Sequence, residues 1–459
     1  MRLRLTEYGQ PVPWLGTDAD LERLGGEALR WRSVLGLAGS PIAIEYLGGH
    51  RHTVRAEGVT GFLQVGRTAV EIRPKFLAGG DEADWRRALW AILAVVEERP
   101  RVGELTLATR TDAESLPDLL GWVLVESLEQ GHALGFPRGY VEHSSSVDVL
   151  RGRLEVNRIA EMLVTPYSLP CVYDVYDEDV AVNRLFRWAA LILGGLARSP
   201  FLSRRLGDAA AAIGHAADTP PGIIEAEHIS LPATYRHLEP ALHVARMLLR
   251  RESLLHVWGQ EQAVSFLWNS ADIFERFVNY LLLQLCGRTV GVRLDDRGQT
   301  LAMPISSGVT TPPAILTYPD ARLRAGGRTR LVLDAKYKTL GTGGRPSNED
   351  IYQVMAAGRV NACDEVYLLY PSPSGARLAP LRWSLLGAGQ PRRVTALFID
   401  LLEMGRPAGE ERLGQALAVD LGTSLQPLLD ATTSTGARPS ERAVPLTSPA
   451  VRWDTSTLR

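Results

Sequence analysis

Lysine is almost absent from this 459-residue chain, with only Lys75, Lys336 and Lys338 among 50 lysines and arginines together. Arginine stands wherever a generic cation would serve, so a retained lysine suggests a role needing a compact point charge rather than a planar fork. Cysteine is scarce as well. Cys171, Cys286 and Cys363 are odd in number and far apart, which excludes a disulfide framework or a zinc knuckle and fits a reducing cytoplasm. Charge of one sign is missing too: at a formal net −2, any contact with nucleic acid must come from local basic patches rather than bulk attraction. The apolar runs Ala88–Val96 and Trp188–Ala197 are too short to span a bilayer. Polar residues, not an apolar signal core, follow Met1-Arg2-Leu3-Arg4, so no membrane is expected. The three lysines follow Pro74, Ala335 and Tyr337, which excludes a P-loop and its nucleotide chemistry. The histidines lack metal-ligand spacing, with Gly49-His50-Arg51-His52 reading as an exposed turn, and there is no Gly-x-Ser-x-Gly elbow or dinucleotide fingerprint.

What is there predicts an α+β multidomain chain. Residues 1–80 form a β-rich N-terminal domain, with strands at Ile42–Tyr46, Val59–Val65 and Ala69–Ile72. Residues 81–260 are mainly helical, with apolar periodicity over Asp84–Glu98, Leu116–Leu134, Asp179–Leu196 and Tyr235–Leu254, and one β-like interruption at Asp148–Val156. Residues 261–405 alternate helix and strand, which suggests a mixed sheet. There a helix over Trp268–Cys286 precedes extended runs at Ala314–Leu323 and Thr329–Tyr337, joined by Gly326-Gly327. A helix from about Asn348 to Asn361 follows, started by Ser347 with Asp350, and then strands at Glu365–Tyr370, Arg377–Trp383 and Val394–Leu401. Residues 406–459 form an extension whose Ser/Thr/Pro-rich part beyond about Leu428 predicts a flexible tail.

The chemistry concentrates in one place. The apolar run Leu331-Val332-Leu333 leads into Asp334-Ala335-Lys336-Tyr337-Lys338, and Pro319-Asp320 lies one hairpin upstream. An Asp and a Lys two apart on a strand share a face, and Pro-Asp…Asp-Ala-Lys is the pattern of the PD-(D/E)xK nucleases. Phosphodiester hydrolysis needs a divalent cation to stabilise charge and acidify water, and Mg²⁺ takes hard oxygen ligands. Asp320, Asp334, the Ala335 carbonyl and Glu275, from Ile273-Phe274-Glu275-Arg276-Phe277-Val278, are the expected ligands. Lys336 would orient or deprotonate the water. Tyr352, Gln353 and Lys338 are expected to touch substrate, and Arg322, Arg324, Arg328 and Arg330 flank the hairpin as phosphate contacts or a solvated rim. The competing reading of a lone Asp-x-Lys is a surface ion pair, and that of Glu275 a helix-packing salt bridge.

The layout over most of residues 1–405 resembles the McrC family, the nuclease subunit of McrBC-type modification-dependent restriction systems. The resemblance rests on Ile72-Arg73-Pro74-Lys75, Gly139-Tyr140, Leu150-Arg151-Gly152-Arg153-Leu154, and Cys171 with Asp177-Glu178-Asp179 and Asn183-Arg184. Phe274-Glu275-Arg276-Phe277-Val278 and the Pro319-Asp320…Lys338 run complete it. It implies a restriction-endonuclease-like C-terminal domain that cuts double-stranded DNA with Mg²⁺. It also implies an AAA+ GTPase ring as partner, on which the N-terminal and middle parts dock and whose hydrolysis they stimulate. The alternatives are a non-cleaving activator of an AAA+ NTPase and a stand-alone DNA-repair nuclease.

Overall fold

A computed structural model of the chain describes residues 2–49, 51–97, 115–165, 167–214, 216–256, 265–288, 292–295, 298–303, 313–325, 327–341, 343–372, 377–387, 389 and 391–433. The N-terminal part holds β1 (Arg2–Thr6), β2 (Val12–Pro13), α1 (Asp18–Val34), β3 (Ile42–Gly48), β4 (Arg51–Ala56), β5 (Val59–Val65) and β6 (Thr68–Arg73). Helix α1, absent from the sequence-based expectation, starts where the Thr17 hydroxyl accepts from the Asp20 amide at 3.1 Å. It buries Leu21, Leu24, Ala28 and Trp31 against the strands, each large apolar side chain contributing about 1.5–3 kcal/mol. Arg51 and His52 begin β4 rather than forming a turn, and His50 lies outside the described residues.

The middle part contains α2 (Glu82–Glu97), α3 (Leu116–Leu134), β7 (Gly139–Val147), β8 (Arg153–Leu154), β9 (Leu169–Asp177), α4 (Ala181–Leu196), α5 (Pro200–Ala212), α6 (Ile223–His228) and α7 (Glu239–His256). Helices α2, α3, α4, α5 and α7 share one apolar core. Strands β7, β9 and β8 form an antiparallel sheet of their own. Its connecting 3-10 turn, Val156–Leu163, buries nothing. Glu71 on β6 ties this part to the first sheet. It takes two bonds from the buried Arg86 of α2, at 2.9 and 2.8 Å, one from the Leu116 amide at 2.7 Å, and an ion pair from Arg2. Burial opposes ionisation there, but the bonds and charge of Arg86, joined by Arg2, hold the Glu71 carboxyl below its ordinary value.

The chain then returns to the first sheet. β10 (Ser265–Asn269) pairs antiparallel with β5, giving the order β1-β6-β5-β10. Gly61 permits the approach, since a Cβ there would meet the Phe266 carbonyl at 2.1 Å. Helix α8 (Ser270–Arg288) begins at once, because the Asn269 side chain accepts from the amides of Ala271 and Asp272 at 3.0 and 3.3 Å. Trp268, expected in the helix, therefore belongs to the strand.

Beyond it lie β11 (Val292–Asp295), β12 (Gln299–Ala302), β13 (Ile315–Thr317), β14 (Ala321–Ala325), β15 (Arg328–Ala335), α9 (Asn348–Val360), β16 (Glu365–Pro371), β17 (Leu381–Ser384), β18 (Arg393–Ile399) and α10 (Gly409–Thr433). Six of the strands make a mixed sheet in the order β11-β14-β15-β16-β18-β17, with β15, β16 and β18 parallel. Alternation along β15 divides it: Leu331 and Leu333 join the core containing Phe274, Phe277 and Leu281 of α8, while Val332 packs with Val354 and Ala357 of α9. The fold is thus a mixed α/β one. The tail expected to be flexible overlaps the end of α10, and its residues after Thr433 lie outside the described residues.

Candidate active site

The hairpin β14–β15 pairs Ala321 with Leu333, and the same register carried one residue further sets Asp320 opposite Asp334 at its open end. Pro319 supplies no amide to the ladder, so the strand starts after it and Asp320 turns to the neighbouring backbone. Its Oδ2 accepts from the Ala335 amide at 2.6 Å. Burial, followed by the charges of Asp334 and Glu275, pushes the Asp320 carboxyl up to about 8, against the opposing Ala335 amide and Lys336 charge. Asp334 is only 1 % exposed. The Lys336 ammonium forms an ion pair with its Oδ2 at 2.5 Å, and among the described residues its Oδ1 has no hydrogen-bond donor. Taking a carboxylate out of water costs several kcal/mol that an ion pair only partly repays, and a buried acid pair of this kind is a candidate functional site.

Lys336 follows β15, its amide bonded to the Leu369 carbonyl of β16 at 2.8 Å. Its ammonium, besides facing Asp334, donates to Gln353 Oε1 on α9 at 2.8 Å. The capping of α9 runs as the sequence predicts, with Ser347 Oγ accepting from the Asp350 amide at 3.2 Å, and this sets Gln353 one turn in. Tyr352 beside it is 67 % exposed. Lys338 does not project freely: its ammonium pairs with the buried Asp350 at 2.8 Å, which also takes the Tyr370 hydroxyl at 3.1 Å. Glu275 sits on the exposed side of α8, whose Ile273, Phe274, Phe277 and Val278 are buried, and reaches Asp320 through its charge. Of the flanking arginines, Arg322 and Arg324 are committed to Asp295, while Arg328 and Arg330 are exposed.

Asp320, Asp334, Lys336 and Gln353 are therefore brought together, with Glu275 in electrostatic range. Among the described residues no three acidic, His or Cys side chains already close on a common point as a metal cage. The oxygens that could hold a hard cation are those of Asp320, Asp334 and Glu275 with the Ala335 carbonyl. The sequence reading used Asp350 only as a helix-start signal and missed a second network. Glu7, 1 % exposed, accepts from the Tyr337 hydroxyl at 2.8 Å and the Lys75 amide at 3.2 Å. Burial raises the Glu7 carboxyl above its ordinary value, against its bond from Tyr337 and the charge of Lys75. The scarcity of lysine was the one signal that could have singled out Lys75.

No curated protein sequence matches the chain. Among solved structures it is similar to one described as the refined half-complex from a tetradecameric assembly of Thermococcus gammatolerans McrB AAA+ hexamers with bound McrC. The TM-score is 0.64 at 17% identity, over 91% of this chain and 100% of that one, a likeness of fold. A looser one, to the Thermococcus gammatolerans McrBC complex solved by cryo-EM, has a TM-score of 0.45 at 17% identity over 62% of this chain and 88% of that one. The family model for the McrBC 5-methylcytosine restriction system component matches residues 54–371, more than half of the chain, and the protein belongs to that family.

Proposed function

We propose that the chain is the Mg²⁺-dependent DNA endonuclease subunit of a McrBC-like restriction complex, acting in the reducing cytoplasm on double-stranded DNA together with an AAA+ GTPase ring. The observation that carries the reading is the acidic pair on a PD-(D/E)xK hairpin. Asp334 is buried with Lys336 as its counter-charge, and Asp320 is pushed up to about 8 beside it. Excess negative charge held in a poorly solvated place fits a divalent cation, which would supply charge stabilisation at the phosphate and a more acidic water. Asp320 and Asp334, with Glu275 and the Ala335 carbonyl, would hold it. Lys336, kept on this face by Asp334 and Gln353, would orient the attacking water and stabilise charge on the phosphate. Tyr352, Arg328 and Arg330, all exposed, supply surface for DNA contact, whereas Lys338 acts through Asp350.

The docking half of the reading is supported by the β7–β9 sheet. Tyr140 and Tyr176 on its strands, and Leu163, Val164 and Tyr167 in the segment joining β8 to β9, stand exposed, and exposed apolar side chains in that number suit a protein partner. The AAA+ ring is taken from the McrB hexamers named with the similar structure. The test is plasmid cleavage by the purified chain across a Mg²⁺ titration, with and without the McrB-type protein from the same source and GTP. Cleavage that needs both Mg²⁺ and the partner is expected. Cutting without the partner would favour a stand-alone nuclease, and hydrolysis stimulated without any cutting would favour the activator.

A further inference from the structure

The chain's three lysines meet at one segment. Lys336 faces Asp334 and Lys338 pairs with Asp350. Lys75, from the end of the N-terminal sheet, donates its ammonium to the Tyr337 carbonyl between them at 3.2 Å. The ammonium lies 4.6, 4.9 and 4.8 Å from the ring centres of Tyr8, Phe76 and Tyr337, a setting that selects a compact cation. The Tyr337 ring is wedged between Phe76 and Phe274, with centroids 5.0 and 5.8 Å away, and its hydroxyl is fixed by Glu7. Tyr337 is also the centre of a tight turn, in which the Lys338 amide donates to the Lys336 carbonyl at 2.8 Å.

We propose that Lys75 is a positioning residue for the candidate nuclease centre: by gripping the Tyr337 carbonyl from the N-terminal sheet, it fixes where Lys336 leaves β15 relative to Asp320 and Asp334. The inference rests on the nuclease reading above. It makes the N-terminal sheet part of the cutting apparatus, because the backbone of Lys336 is held by Leu369 on one side and by the Lys75-braced turn on the other. A shift of that turn by about 1 Å would cost on the order of 100-fold in rate.

The test compares Lys75→Met, Lys75→Gln, Lys75→Arg, Tyr337→Phe and Asp334→Ala in the full chain with its partner, reading plasmid cleavage, DNA affinity, GTP hydrolysis and thermal unfolding. Lys75→Met is expected to lower cleavage kcat by about 10- to 100-fold with DNA affinity and partner hydrolysis unchanged. Lys75→Arg, which keeps the charge and a donor, is expected to recover part of the loss. A folded Lys75→Met that cuts at the wild-type rate overturns the proposal, as does a loss that parallels loss of partner hydrolysis and of folded protein. If Lys75→Met does not fold, Lys75→Gln decides by the same criteria; Tyr337→Phe, which keeps the carbonyl that Lys75 holds and loses only the bond to Glu7, should lose less cleavage than the Lys75 variant, and an equal loss overturns the proposal. Asp334→Ala separates the two readings: if it cuts normally, the nuclease centre itself is misassigned.

Discussion

On the proposed reading, binding of Mg²⁺ to this site displaces a proton. The Asp320 carboxyl is pushed up to about 8 by burial and by the charges of Asp334 and Glu275, so at pH 7 it is about nine-tenths protonated, and a cation can use it only after the proton leaves. Titration calorimetry at pH 7 in buffers of different ionisation enthalpy should therefore show release of most of one proton per Mg²⁺ bound, and of much less at pH 9. Apparent affinity should fall about tenfold for each pH unit below 8. Asp320→Asn should bind Mg²⁺ weakly and release none of this proton. Metal-free stability runs the opposite way with pH. The native state keeps the Asp320 proton to higher pH than the unfolded chain does, so stability falls as pH rises from the ordinary aspartate value and levels above about 8, a total of at most about 6 kcal/mol. A buffer-independent heat at pH 7, or the same proton release from Asp320→Asn, would refute the reasoning.

Four further outcomes follow from the geometry. Lys336→Met should lower cleavage by about 10²- to 10⁴-fold in a single-turnover assay while DNA affinity holds. Asp350→Asn removes the partner of Lys338 and of Tyr370 and should cost about 1–3 kcal/mol at pH 7. Burial opposes it, but Lys338 and Ser347 hold the Asp350 carboxyl below its ordinary value, so wild type should lose this advantage as pH falls through the native value, read by denaturation at pH 7 and pH 3. Glu71→Gln breaks a buried pair with Arg86 and should destabilise by about 3–5 kcal/mol, seen as a lower Tm. A Leu163→Ser/Tyr167→Ser double variant, at exposed positions, should abolish stimulation of partner hydrolysis while shifting stability by no more than about 0.5 kcal/mol per site.

The sequence carried local features well and distant contacts poorly. The helix started by Ser347 and the hairpin between Asp320 and Asp334 were legible because capping and strand alternation act over a few residues. Strand β10 was not foreseen and its last two residues, Trp268 and Asn269, fell in the expected helix, since a short buried apolar run joins directly to a periodic one there, and periodicity alone cannot separate the two. Strand β7 was missed for the opposite reason: Gly139–Val147 buries neither face fully, so no apolar alternation appears. Helix α1 was hidden by its Gly25-Gly26 pair and weak apolar stripe. At the site, Asp320, Asp334, Lys336 and Gln353 belong to adjacent elements and could be grouped from spacing. The Glu7–Tyr337 bond joins residues 330 apart, and only the folded sheet brings them together.

The most direct test of the acidic pair is one reaction containing methylated plasmid, Mg²⁺, GTP and the McrB-type partner, with wild-type chain or Asp334→Ala, scored at once for cleavage and GTP hydrolysis. Cleavage by wild type alone, with hydrolysis stimulated equally by both, is the predicted result. An Asp334→Ala chain that still cuts would contradict the account, because the buried carboxylate at its centre would then have no part in the chemistry.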